Sequence, residues 1–319
     1  MPAWKIDPGK LKKEARHLDG IISKGDRHCY TGPTVVRSLR PNELREREVP
    51  RGWDNRVMAA EEEWRRILVE GHRSMVMSRR FWRHVPSAPR CKVCANPFEG
   101  IGGRIAAAGG WTRSRKNPNL CSRCCDQLPP GGAEVDVAVL FADVRGSTAL
   151  GERHSASDFA ALLNRFYATA TEVILRHDGL IDKLIGDEAM ALFIPGVAGA
   201  EYRRRSLAAA RELLTALGYG SSEGPWLEVG VGLNAGLAFV GNVGTAVVDF
   251  TALGDAVNVA ARLQAAAGPG QLVVAEDLLE GLALELEGER RAIETRGRQE
   301  PVPAIVAAAA APAQPRSGA

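Results

Sequence analysis

The chain has little of what would tie it to a membrane. No stretch approaches the roughly 18–20 consecutive apolar residues that span a bilayer. The longest candidate, residues 135–142, is broken by Asp136 and has the length of a strand. No apolar run follows the opening Met-Pro-Ala-Trp-Lys. A secretory leader and membrane insertion are therefore not expected, and the expected location is cytoplasmic. Cysteine is nearly absent outside one segment: five of the six lie between Cys91 and Cys125, and only Cys29 stands apart. In a cytosolic chain such clustering argues for a metal site rather than disulfides. Internal repeats are lacking. Residues 308–319 are mostly Ala and Pro without material for a core, and are expected to form a disordered tail.

What remains is the composition of a soluble globular protein, 45% hydrophobic and 25% charged, in 319 residues. That length suits two modest domains. The net charge of +3 conceals a division. Residues 1–130 hold 26 Lys and Arg against 14 Asp and Glu, a net +12, and the rest holds 15 against 24, a net −9. A basic first part is compatible with nucleic acid, an anionic surface or an acidic partner. Arg-rich helices that merely solvate their outer faces explain it as well, so nucleic acid is not expected as a partner.

Residues 1–85 read as a helical region of unassigned role, with a short helix near 10–18 and a longer one over 55–82. Val57, Trp64, Leu68, Met75 and Phe81 share a face of the longer helix, as a core or dimer contact would require. Residues 86–127 are the Cys-rich segment. Leu-Pro-Pro-Gly-Gly then marks a linker at 128–133. From 134 to 307 the pattern alternates. Strands are expected at 135–142, 180–185, 189–194, 227–235, 238–243, 247–253 and 271–275, and helices at 157–177, 198–217 and 255–267. This describes an α+β domain around a central sheet.

Three motifs in that domain carry chemistry. The first strand exits through Asp143-Val144-Arg145-Gly146-Ser147-Thr148, a carboxylate beside a turn and helix start whose N–H groups favour anions. Such a neighbour makes sense when a cation lies between carboxylate and phosphate. Lys183-Leu184-Ile185-Gly186-Asp187-Glu188 places a second carboxylate at a hairpin tip. With the two strands adjacent, Asp143 and Asp187 can share divalent ions, which Mg²⁺ accepts from one or two carboxylates plus substrate phosphates. Finally, Thr251-Ala252-Leu253-Gly254-Asp255-Ala256-Val257-Asn258 leads into Arg262. Asn258 and Arg262 stand four apart, on one helix face, and can reach one ligand. Val257, Ala261 and Leu263 are expected to face the sheet.

These segments resemble the class III adenylate and guanylate cyclase catalytic domain over about residues 134–307. The likeness includes the Gly-rich stretches 230–236 and 241–244 and the closing segment 297–302. It implies a ferredoxin-like fold working as a head-to-tail homodimer, in which opposite protomers complete each site. It assigns Asp143 and Asp187 as metal carboxylates, with the Val144 carbonyl as backbone ligand, for two Mg²⁺ or Mn²⁺ per active site. Lys183 and Thr251 match the base-selecting pair. Arg145, Gly146, Ser147 and Thr148 fall in the phosphate loop, Arg145 and Gly146 in a variable part of it and Ser147 in place of a bulkier residue; Asn258 matches the ribose-orienting amide and Arg262 the transition-state arginine. Thr251 stands where many members carry Asp. Lys183 is a pure donor suited to adenine N1, whereas guanine presents N1–H there. ATP is thus favoured over GTP. Gly186-Asp187-Glu188 resembles part of the diguanylate cyclase signature, against which Asn258 and Arg262 speak.

Cys91-Lys92-Val93-Cys94 and Cys121-Ser122-Arg123-Cys124, 26 residues apart, suit a tetrahedral zinc site, one structural Zn²⁺ per chain. An iron–sulfur cluster and free thiols remain open, as does Cys125 in place of Cys124. The segment has few large apolar residues, so metal binding is expected to supply its folding energy. The reading is an ATP-cyclising homodimer with a small N-terminal helical and zinc-binding region, and room for a regulatory protein partner at residues 1–85. The alternatives are a guanylate cyclase, or a nucleotide-sensing binding protein whose cysteine module contacts nucleic acid or a partner.

Overall fold

The computed structural model describes residues 54–70, 77, 82, 89–125, 128, 131–244, 248–280, 282, 284–294, 300–309 and 313–315. The helix expected near 10–18, Cys29, Met75 and Phe81 lie outside them. Contacts divide the chain after Pro50, and everything described belongs to the second unit.

In chain order the elements are α1 (Asp54–Val69), α2 (Gly100–Ala108), α3 (Ser122–Cys125), β1 (Gly131–Val144), α4 (Ser147–Arg153), α5 (Ala156–Arg176), β2 (Leu180–Ile185), β3 (Glu188–Phe193), α6 (Pro195–Ala198) and α7 (Tyr202–Ala216). They continue with β4 (Val229–Val243), β5 (Asp249–Leu253), α8 (Asp255–Ala266), β6 (Gln271–Ala275), α9 (Glu276–Leu279), β7 (Leu284–Leu286), β8 (Glu289–Ile293), β9 (Val302–Ala308) and β10 (Ala313–Pro315). The main sheet runs β2-β3-β1-β4-β6-β9-β8, and β5 pairs with β4. No helix among the described residues is long and apolar enough to cross a membrane.

The sheet is covered on both faces, which explains why β1 is continuously apolar from Val137 to Ala142. Ala138, Leu140 and Ala142 join Phe166 and Ile174 of α5 and Leu213 and Leu214 of α7 in one core. Val135, Val137, Val139 and Phe141 point the other way, into a core with Trp64 and Leu68 of α1, Ala256 and Ala260 of α8, and Cys91, Leu120 and Cys121. The cysteine segment thus shares its core with the main sheet, where the sequence suggested a separate small module.

Local chemistry sets the element ends. Ser155 caps α5, its hydroxyl accepting from the Asp158 N–H at 3.2 Å. The helix stops where Asp178 adopts a left-handed φ of 61° ahead of Gly179. Five expectations are corrected. Gly131 and Gly132 open β1, paired with Asn242 and Gly241, so the linker ends sooner. The two strands expected at 227–243 are one long strand, β4, because its residues pair continuously with β1. The tail contributes β10, paired with β7. The buried face of α8 is Ala256, Val259, Ala260 and Leu263, with Val257 and Ala261 half-buried. The helix expected at 198–217 is α7 and begins only at Tyr202, after the separate short helix α6 that ends at Ala198.

The glycines of β4 let α8 lie directly on the strand. A Cβ at Gly232 would stand 2.1 Å from the Gln264 nitrogen. Gly232→Ala should therefore cost about 1–3 kcal/mol by overpacking in chemical denaturation. Gly151→Ala, on an exposed helix where a Cβ would meet only the Phe159 ring at 4.0 Å, should be neutral or mildly stabilising. Equal stability of wild type and Gly232→Ala would contradict this packing.

Candidate active site

β1 lies between β3 and β4, and its last residues carry the acidic end of the site. Asp143 pairs across to Glu188 on one side and Gly230 on the other. The Val144 N–H donates to the Asp187 carbonyl at 3.1 Å, so the hairpin tip closes over the end of β1. Tyr167 of α5 steadies that tip, its hydroxyl donating to the Gly186 carbonyl at 2.5 Å. Asp143, Asp187 and Glu188 thus form a carboxylate group around one strand end. Burial pushes the Asp143 carboxyl above its ordinary pKa; Arg145 opposes this, Asp187 adds to it, and the buried Gln264 amide opposes it. Glu188 is raised by burial and then by Asp143 and Asp187. The Arg145 guanidinium pairs with the Asp143 carboxylate. One arginine among three carboxylates leaves negative charge to be balanced, and these are hard oxygen donors of the kind Mg²⁺ and Mn²⁺ accept.

The chain then turns at Gly146, whose φ of 67° suits glycine, into α4 at Ser147 and Thr148. The first N–H groups of a helix have no acceptor within it. Beside this turn opens a cleft of about 790 Å³, lined by Arg145, Gly146, Arg153, Arg165 and Trp226 among others.

A second polar group forms where β2 faces β5. A bulge between Ile181 and Lys183 breaks the alternation of β2, so that neighbouring side chains converge. Lys183 Nζ donates to Thr251 Oγ1 at 2.8 Å, and Thr251 Oγ1 donates to Asp182 Oδ2 at 2.9 Å. Asp249 Oδ2 lies 2.7 Å from Lys183 Nζ. Burial would lower the Lys183 pKa, but Asp249 and Asp182 outweigh it and hold the ammonium charged. Burial raises Asp182, against Lys183, Thr251 and Lys116.

Asn258 and Arg262 are both exposed on α8. Within one chain they extend outward, while the carboxylates and the Lys183–Thr251 pair are built into the sheet.

The four cysteines meet. The Sγ atoms of Cys91, Cys94, Cys121 and Cys124 are buried and all within 4.8 Å of one another. Cys94 and Cys121 are 3.7 Å apart, close to the roughly 3.8 Å that a tetrahedron of 2.3 Å Zn–S bonds requires. The Cys121 N–H donates to Cys91 Sγ at 3.3 Å, as a thiolate ligand would accept. Contacts from Cys121, Cys124 and Cys94 hold Cys91 below the usual thiol range, while Cys121 and then Cys91 act to push Cys94 and Cys124 above it. Such a set ionises together only around a cation. Cys125 is outside the group and accepts from Asn117 Nδ2 at 3.8 Å.

Sequence reading missed Asp182, Asp249, Lys116 and Gln264. Asp182 was hidden because alternation puts the neighbour of Lys183 on the opposite face, and the bulge undoes that. The others arrive by tertiary packing. Glu188 was visible in its motif without a role.

The model of the adenylate and guanylate cyclase catalytic domain matches residues 132–304. The chain therefore belongs to that family. The uncharacterized protein Rv1319c of Mycobacterium tuberculosis is 36% identical over 187 residues, covering 56% of this chain and 31% of that protein. The chain thus spans about a third of the length of the curated relatives it matches. Among solved structures, the guanylyl cyclase Cya2 is similar at 28% identity and a TM-score of 0.50, over 55% of this chain and 93% of that one. The adenylyl cyclase CyaB from P. aeruginosa matches at 26% identity and a TM-score of 0.47, over 55% and 94%.

Because the folded Asp143 carboxyl is raised, it binds protons more readily folded than unfolded, and its ionisation opposes stability above that raised value. Asp143→Asn should therefore melt at or above the wild-type temperature at pH 7 without metal. Added Mg²⁺ should stabilise the wild type and leave the variant unmoved. A metal-free variant melting well below wild type, or one responding equally to Mg²⁺, would contradict the charge balance described.

Proposed function

We propose that the chain is an adenylate cyclase, converting ATP to 3′,5′-cyclic AMP and pyrophosphate as a homodimer. The observation that carries the choice of ATP is the Lys183–Thr251 contact of 2.8 Å beside β5. A lysine has donors only, and adenine N1 accepts. Thr251, whose hydroxyl both donates and accepts, is the companion that positions it.

Asp143, Asp187 and the Val144 carbonyl are the groups that would hold Mg²⁺ or Mn²⁺, which neutralise phosphate charge and acidify the attacking 3′ hydroxyl. The N–H groups of the turn at Gly146, Ser147 and Thr148 receive the phosphates, with Arg145 exchanging its pairing from Asp143 to substrate. Asn258 orients the ribose. Arg262 meets the charge that grows as the 3′ oxygen attacks the α-phosphorus and pyrophosphate leaves; a donor of this kind is worth about 3–4 kcal/mol. The exposure of Asn258 and Arg262 in one chain supports their serving a second protomer's carboxylates. Asp143→Ala and Arg262→Ala should each be inactive alone, and mixing them should restore part of the activity through one intact site per heterodimer. No recovery despite demonstrated subunit exchange would overturn shared sites. Recovery with GTP in preference to ATP would overturn the base assignment.

The cysteine cluster is a structural zinc site in this reading. Four thiolates leave no open coordination position, so the metal supports and does not react. Elemental analysis should find one zinc per chain, lost in Cys91→Ser together with much of the stability, since the segment shares its core with β1. An iron–sulfur absorption band, or a fully stable metal-free chain, would contradict it.

A further inference from the structure

Between its two cysteine pairs the chain carries residues 95–120, and this segment does not stay near the cluster. Asn117 is wholly buried against β2, an edge strand. Its Oδ1 accepts from the Ile181 N–H at 2.7 Å and its Nδ2 donates to the Ile181 carbonyl at 3.1 Å. The side-chain amide thus takes the place of a neighbouring strand at the bulge that brings Asp182 and Lys183 together. Asn119 Nδ2 donates to the Leu175 carbonyl at 2.6 Å, and Lys92, inside the first cysteine pair, lies 2.7 Å from Asp178. These contacts fix the segment to the corner where α5 passes into β2.

Lys116 reaches furthest. Its Nζ donates to Asp249 Oδ1 at 2.6 Å and to the Phe250 carbonyl at 2.9 Å, and lies 4.0 Å from Asp182 Oδ1. That Asp182 oxygen is buried and has no hydrogen bond. Asp249 is therefore shared: one oxygen takes Lys116, the other Lys183. Without Lys116 the charges of Asp182 and Asp249 would both fall on Lys183, drawing it away from any ligand. The start of β5, one residue from Thr251, would lose its anchor as well.

We propose that Lys116 is a positioning residue that determines base selectivity, holding the Lys183–Thr251 pair ready for adenine, and that the metal state of the cysteine cluster sets this selectivity through it. The inference rests on that pair reading the base and on the cluster binding zinc. Loaded, the cluster fixes the loop, and Lys116 balances Asp249. Stripped, the loop releases Lys116, and Lys183 closes onto the two carboxylates. Guanine, which presents N1–H towards Lys183, loses less than adenine does.

The test uses the full chain and two probes that bind but lack the attacking hydroxyl, 3′-deoxy-ATP and 3′-deoxy-GTP, titrated calorimetrically. Lys116→Ala should weaken 3′-deoxy-ATP by roughly tenfold, the scale of one charge-assisted hydrogen bond, and leave 3′-deoxy-GTP within about twofold. Lys116→Arg should recover most of the preference, which a purely structural loss would not. Zinc removal by a chelator, confirmed by elemental analysis and followed by return of Mg²⁺ at a temperature below the stripped chain's melting point, should reproduce the loss in wild type and add nothing in Lys116→Ala. An unchanged ratio of the two affinities in Lys116→Ala overturns the proposal, as does a wild-type chain that binds neither probe. Additive effects of zinc removal and substitution overturn the link to the cluster. A wild-type chain that binds 3′-deoxy-ATP selectively yet fails to cyclise ATP would remove the cyclase reading and leave this one standing.

Discussion

The pairing of β1 with β4 is the constraint on which the rest depends. It runs without a break from Gly131↔Asn242 to Val144↔Val229. That length carries Asp143 to the end of the sheet where the β2–β3 hairpin closes over it, and fixes both faces of β1 at once. One face receives α5 and α7. The other receives α8, seated on Gly232, together with α1 and the cysteine segment. A slip of one residue would exchange the two faces and send Asp143 to the wrong side, so burial on both faces enforces the register.

The second consequence concerns charge. The sheet concentrates carboxylates in two places, at Asp143, Asp187 and Glu188, and at Asp182 and Asp249. Each needs cations to balance it, and the two places differ in how much the chain supplies. At the first, Arg145 supplies part of it from within the loop. At the second, Lys183 and Lys116 supply it from two different segments, which ties the cysteine-bearing loop to the start of β5. The basic excess of residues 1–130 thus has at least one specific destination in the acidic half of the chain.

Much of this was legible in the sequence because the motifs are local. Asp143, Gly146, Asp187, Asn258 and Arg262 each sit at a strand end, turn or helix face whose signals are written within a few residues. The four cysteines declared themselves by spacing. What could not be read was long-range. The continuity of β4 through residue 236 depends on β1 lying beside it. The core shared by Trp64, Cys121 and Val139 joins residues far apart in the chain. The bulge at Ile181 and Lys183 exposes Asp182 to Thr251, and the 133-residue reach from Lys116 to Asp249 has no periodicity to betray it.

Analysis of the reaction products separates cyclisation from hydrolysis and from mere binding. The purified full chain, incubated with ATP and Mg²⁺ or Mn²⁺, should yield 3′,5′-cyclic AMP and pyrophosphate in equal amounts, with GTP a poorer substrate. Release of orthophosphate and ADP without cyclic product, or no turnover at protein concentrations high enough to dimerise, would rule out cyclisation by this chain.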